Sequence, residues 1–154
     1  MKISISNIPE SMKGFKYPDD VTENSIRVIF WKAGWLPVLG EIQNTLETFQ
    51  KYVDGPIEVS RIKGIEGVGV VCNEEGKLRG LRPSFNNLYN DIICGDSVLC
   101  GLGEEDFIDL TDEQIEKIYE FVIDTVTFSV PEGAPKYVEA EESGLHGGKE
   151  DELT

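Results

Sequence analysis

The chain is divided into short apolar runs, and a glycine, asparagine or proline lies at or near the end of most of them. Runs of this length, rich in β-branched and aromatic residues, are typical of strands that are joined by tight turns. The candidate runs lie at 26–31, 36–42, 57–62, 67–72, 78–81, 92–94 and 98–100, with a further one at 125–130. The pattern predicts about six or seven short strands in a largely antiparallel sheet.

Two helices interrupt these runs, and each begins at a capping motif. Asn44-Thr45-Leu46-Glu47 places a side-chain acceptor three residues before a glutamate, and Gly55-Pro56 ends the apolar stripe that follows. These signals predict a helix over 45–54. Thr111-Asp112-Glu113-Gln114 is a second capping motif and predicts a helix over 112–124. The class expected is therefore α+β, with both amphipathic helices packed on one face of the sheet.

Composition divides the 154 residues into three parts. Residues 1–25 alternate only briefly and carry many turn-forming residues, so we interpret them as an N-terminal arm. Residues 26–130 contain the strand and helix signals and fit one α+β domain. Residues 131–154 are rich in proline, glycine and carboxylates and lack apolar periodicity, which predicts a disordered acidic tail.

The net charge of −15 is concentrated in the C-terminal third of the chain. Residues 1–103 hold 13 acidic and 11 basic residues, whereas residues 104–124 hold nine acidic residues and one basic residue. An acidic field repels nucleic acid and anionic membrane, so direct binding to either is not expected. The same field attracts a partner protein that has a basic surface.

Within the acidic block, carboxylates recur every four residues along the predicted second helix. Asp112, Glu116, Glu120 and Asp124 then form one row, with about 6 Å between successive members. Such a row is either a solvated helix face or a mimic of DNA phosphates. The candidate partner-binding residues are Glu104, Glu105, Asp106, Asp112, Glu116 and Glu120.

Aromatic, arginine and asparagine side chains in the neutral part of the chain provide an alternative binding surface. Aromatic rings stack on bases, and arginine binds phosphate. Trp35 follows Gly34 at a turn, where we expect an exposed ring. The candidate ligand-binding residues are Trp35, Arg79, Arg82, Asn87 and Tyr89, and the ligand expected is a nucleotide.

No residue pattern identifies a catalytic centre, a metal site or a cofactor. The single histidine, His146, lies in the predicted tail, so it provides no rigid base for a nucleophile. The three cysteines, Cys72, Cys94 and Cys100, lie in apolar runs, which is typical of small buried hydrophobic residues. As an alternative, Cys94 and Cys100 flank a turn and could form a redox pair. The N-terminus lacks an apolar secretory stretch, so we expect a cytoplasmic protein.

The stretches 47–59, 72–81, 91–96 and 106–117 resemble the domain-of-unknown-function family three-eight-four-six. The resemblance becomes apparent at Cys72-Asn73-Glu74-Glu75-Gly76-Lys77-Leu78, whereas 82–85 match only in part. The resemblance covers about residues 26–124 and provides no catalytic residues. It implies an accessory protein of phages, plasmids or other bacterial mobile elements, some of which neighbour anti-restriction modules.

The function expected is therefore that of a non-enzymatic accessory protein with an anti-defence role. It would act by binding a basic surface of a host nucleic-acid enzyme through the acidic helix. Nucleotide sequestration is the alternative, a hydrolase ranks third, and self-association stays open.

Overall fold

The structure is a computed structural model that describes residues 2–21 and 23–129. Within these residues the chain forms nine strands and two α-helices. The strands are β1 (Phe15–Tyr17), β2 (Ser25–Trp31), β3 (Val38–Gln43), β4 (Ile57–Ser60), β5 (Val68–Asn73), β6 (Pro83–Asn86), β7 (Ile92–Cys94), β8 (Ser97–Leu102) and β9 (Phe107–Ile108). The helices are α1 (Leu46–Val53) and α2 (Asp112–Ser129).

Seven of the strands form one sheet in the order β1-β3-β2-β8-β5-β4, with β9 paired to the end of β8. All neighbours in this sheet are antiparallel except β1 and β3, which are parallel. The strands β6 and β7 form a separate two-stranded sheet. The predicted α+β class with a largely antiparallel sheet is confirmed.

The two helices lie on opposite faces of the main sheet, so their predicted placement on one face is wrong. Along β2, Val28 and Phe30 pack in the core cluster that contains Phe49 of α1. The intervening Ile29 packs in the cluster that contains Ile118 of α2. Successive side chains of a strand point to opposite faces, so an unbroken apolar run requires cover on both. The central strands therefore form the middle layer of three.

The N-caps explain where the helices begin. The α1 cap is Thr45, which accepts from the Thr48 N–H at 3.2 Å, whereas Asn44 donates to the Phe107 carbonyl. At α2 the predicted capping box is present, because Thr111 and Gln114 each accept from the backbone N–H of the other.

Three local assignments differ from the expected ones. Helix α2 continues to Ser129, so the strand predicted over 125–130 is helical at 125–129. Residues 78–81, predicted as a strand, lie in and just after the turn 74–80. Residues 83–90 are polar and asparagine-rich, which predicts a loop, but 83–86 form strand β6.

The N-terminal segment packs against the domain described above. Ile8 and Met12 are buried in the core cluster on the α2 side of the sheet. The strand β1 then extends the sheet, with Phe15 in register with Gly40 of β3. The tail predicted over 131–154 lies outside the described residues.

Candidate ligand-binding site

A cleft of about 380 Å³ opens at the end of the sheet where β2 ends and β8 begins. The last turn of α1 forms another part of its wall. A volume of this size lies within the range of small-molecule sites. The lining residues are Lys32, Ala33, Trp35, Tyr52, Val53, Asp54, Leu81, Arg82, Gly95 and Asp96.

One wall is the turn that follows β2, and it brings two cationic groups together. The Trp35 N–H donates to the Lys32 carbonyl at 3.0 Å, which closes the turn. The Lys32 ammonium lies over the Trp35 ring, 5.0 Å from its centroid, in a cation–π contact. Gly34 has a φ of +86°, and a Cβ there would lie only 2.6 Å from Cζ of Arg82. Glycine therefore allows the Arg82 guanidinium to lie directly against the turn.

Two carboxylates, those of Asp54 and Asp96, also line the cleft. Asp96 Oδ1 accepts from the Ala33 N–H at 3.1 Å and ties the turn to the start of β8. Asp54 caps the end of α1 in a left-handed conformation, and its carboxylate pairs with the Arg79 guanidinium at 2.9 Å. The cleft thus presents acceptors as well as positive charge.

Tyr52 contributes a phenol to the same cleft. Burial raises the pKa of this phenol far above its usual range, and the negative charge of Asp96 adds to the effect. The hydroxyl therefore stays protonated at any physiological pH and keeps its proton for hydrogen bonding.

The structure brings together only some of the predicted ligand-binding residues. Trp35 and Arg82 line the cleft, and Arg79 is held at Asp54, which lines it too. Asn87 does not line it: its side chain is buried and donates to Ser60 Oγ at 3.1 Å. Tyr89 does not line it either and is exposed in the loop after β6.

The expectation that Trp35 is exposed is wrong. Its exposure is only 7%, because the whole segment from Ala33 to Val38, apart from Gly34, is buried over the end of the sheet. Sequence reasoning also missed Tyr52 and Asp96, which reach the cleft from α1 and from the residue before β8. No local pattern links these positions to the turn after β2.

The acidic row of α2 is largely occupied by contacts within the chain. Glu116 Oε2 accepts from the Ile5 N–H at 2.8 Å, and Glu120 Oε2 accepts from the Ile3 N–H at 3.1 Å. Asp112 pairs with Arg27 at 2.9 Å. Two of the four carboxylates in the row therefore accept backbone N–H groups of the N-terminal segment, whereas Asp112 and Asp124 are exposed.

The other three candidate partner-binding residues are exposed. Glu104, Glu105 and Asp106 form the bend between β8 and β9, at the opposite end of β8 from the cleft. Six residues of an antiparallel strand span about 17–20 Å, so the two surfaces are well separated. The molecule has an acidic end and a cleft of mixed charge at the other.

Other chemistry is limited within the described ranges. No group of three or more histidine, cysteine, aspartate or glutamate side chains there is placed to hold a metal ion. Cys72, Cys94 and Cys100 are all free thiols. Among the helices of residues 2–21 and 23–129, none has the length and apolar character needed to cross a bilayer.

The fold and the cleft define a small α+β domain whose sheet is covered on both faces and carries a polar and aromatic cleft at one end. Residues 26–123, more than half of the chain, match the domain of unknown function DUF3846. The chain belongs to this family, which confirms the resemblance noted in the sequence. No curated protein and no solved structure is detectably similar to it.

Proposed function

We propose that this protein binds a nucleotide in the cleft at the end of β2. The observation that carries the proposal is that two cations line one cleft: Lys32 lies over the Trp35 ring, and Arg82 lies against Gly34 of the same turn. Two cations in one cleft suit phosphate oxygens, since arginine and lysine are the usual phosphate ligands in proteins.

The acceptors in the cleft favour a nucleotide over a bare phosphate. Asp54 and Asp96 repel an isolated anion, but carboxylates accept hydrogen bonds from ribose hydroxyls and from base amino groups. The protonated Tyr52 hydroxyl adds a donor for a base or sugar oxygen. A ligand with an anionic end and a donor-rich end satisfies both sets of groups, and binding without turnover amounts to sequestration.

Thermal shifts with a panel of nucleoside mono-, di- and triphosphates test this proposal. We expect at least one nucleotide to raise the Tm, and Arg82→Ala to weaken its affinity about tenfold or more, as the loss of a charged hydrogen bond does. Arg61→Ala is the control, because Arg61 is exposed and does not line the cleft. The proposal fails if no nucleotide shifts the Tm, or if both variants bind equally well.

A second candidate function concerns the acidic end of the molecule. Glu104, Glu105 and Asp106 are exposed together, and none of them forms an ion pair with another described residue. This observation favours binding to the basic surface of a host nucleic-acid enzyme, as an accessory protein of a phage or mobile element with an anti-defence role would do in the bacterial cytoplasm.

Charge reversal tests the second candidate against purified host nucleic-acid enzymes. Glu104→Lys with Glu105→Lys should weaken binding and reduce its salt dependence, because steering by opposite charges is screened by salt. Glu74→Lys with Glu75→Lys is the matched control on another exposed turn. Equal effects of the two pairs would rule out a specific role for the bend.

A further inference from the structure

A second, smaller cavity of about 90 Å³ lies between β5, β7 and the turn 74–80. Cys72 of β5 and Cys94 of β7 both line it, so one thiol comes from the main sheet and the other from the small sheet. Gly76 also lines the cavity, against Cys94. Its N–H donates to the Asn73 carbonyl at 3.1 Å, and a Cβ on it would lie 3.4 Å from Cβ of Cys94.

The two thiols differ in access. Cys94 is partly exposed, beside the ion pair that Lys77 and Asp91 form at the edge of the cavity. Cys72 is only 3% exposed, and burial together with the carboxylate of Glu58 raises its pKa to about 12. A reagent in solution therefore reacts first with Cys94, whereas Cys72 is shielded from solvent and stays protonated.

The third thiol is placed apart from this pair. Cys100 is fully buried in the core cluster on the α1 side of the sheet, whereas Cys72 belongs to the cluster on the α2 side. The sequence suggested a pair of Cys94 and Cys100, because these residues flank a turn. The cavity is instead lined by Cys94 and Cys72.

The geometry points to Cys94 and Cys72 as an oxidation site that forms an intramolecular disulfide with a hydroperoxide as the oxidant. The Cys94 thiolate attacks the peroxide O–O bond, which gives the Cys94 sulfenic acid and releases hydroxide or water. The Cys72 sulfur then displaces the sulfenic hydroxyl group, which leaves as water with the Cys72 proton. Two thiols are oxidised to one disulfide, and one hydrogen peroxide is reduced to two waters.

The bond would close the segment 73–93 into a covalent loop. This segment contains the turn 74–80 and carries Arg79 and Arg82 towards the larger cleft. Its two ends lie in different sheets, so the disulfide would join the small sheet to the main sheet. The inference stands on the cavity and does not depend on what the cleft binds.

Treatment of the full chain with a few equivalents of hydrogen peroxide tests the proposal. The products are denatured, alkylated with iodoacetamide and analysed by mass spectrometry. We expect the loss of two hydrogen atoms, one alkylated cysteine, which is Cys100, and a linked peptide pair containing Cys72 and Cys94. Three alkylated cysteines, a Cys94–Cys100 link, or a disulfide between two chains would overturn the proposal.

Variants separate the roles of the two thiols. Cys72→Ser should stop at oxygen adducts on Cys94 without loss of hydrogen, and Cys94→Ser should leave Cys72 reduced. Cys100→Ala is the matched control and should form the same disulfide as the unaltered chain. If Cys94→Ser is oxidised at Cys72 as fast as the unaltered chain, the order of attack is wrong and the proposal fails. Should a variant fail to fold, the peroxide experiment on the unaltered chain still tests the disulfide.

Discussion

The Ile5 backbone N–H donates to Glu116 Oε2 at 2.8 Å across 111 residues of sequence. Two residues earlier, Ile3 makes the same kind of bond to Glu120, one helical turn further along α2. Two carboxylates that are four residues apart on α2 thus accept hydrogen bonds from N–H groups that are two residues apart in the N-terminal segment. The acidic row secures the N-terminus to the domain, and this role supports the first prediction.

Glu116→Ala should lower the free energy of unfolding by about 1–3 kcal/mol, because it leaves the Ile5 N–H without its acceptor in a partly buried position. Glu116→Gln keeps an acceptor oxygen and should have a smaller effect. Urea unfolding measures both. Asp124→Ala on the same helix is the control, since Asp124 is exposed and its removal should change stability by less than about 0.5 kcal/mol. Equal effects of Glu116→Ala and Asp124→Ala would contradict the prediction.

Gly34→Ala should both destabilise the fold and displace Arg82. The positive φ alone costs about 1 kcal/mol or more, and the new Cβ would lie 2.6 Å from Cζ of Arg82. Gly64→Ala is a close control, because Gly64 has a φ of +90° and open space around its Cβ position. Nucleotide affinity should fall in the first variant and stay unchanged in the second. Equal affinities would show that the guanidinium position does not matter for binding.

Thr111→Ala should destabilise the protein by about 1 kcal/mol through loss of the α2 N-cap. The Gln114 side chain accepts from the Thr111 N–H and also donates to the Glu66 carbonyl, so Gln114→Ala should cost more. A double-mutant cycle in urea should give a coupling energy of about 0.5 kcal/mol or more between the two residues. Strict additivity would contradict a reciprocal capping box.

The buried thiol of Cys100 should make the protein less stable in alkali. Burial raises its pKa from 9.0 to about 12. The folded state therefore binds the thiol proton more tightly than the unfolded state does. The contribution of this proton to the free energy of unfolding is complete below pH 9 and is lost as the pH rises from about 9 to 12. A difference of this size corresponds to about 4 kcal/mol. Urea unfolding between pH 8 and 11 should give a shallower decline for Cys100→Ala than for the unaltered chain, and parallel declines would contradict this.

Parts of the fold that depend on neighbouring residues could be predicted. The second capping box needs only Thr111 and Gln114, three residues apart, and it has the expected bonds. The strand runs around β2, β5 and β8 were also predicted, because β-branched and apolar residues are continuous there. For the candidate site, only Trp35 and Arg82 were predicted among the residues that line the cleft.

The sequence by itself determined the α+β class, the existence of both helices, most of the strands and the family to which the chain belongs. Only the tertiary structure decided that the helices cover opposite faces, that Glu116 and Glu120 hold the N-terminus, and that Tyr52 and Asp96 reach the turn after β2. Caps and turns are satisfied within a few residues, so their signals are local. Which residues cover a buried strand face, or donate to a carboxylate, depends on the order of the strands in the sheet. The order β1-β3-β2-β8-β5-β4 brings together residues that no short sequence pattern connects.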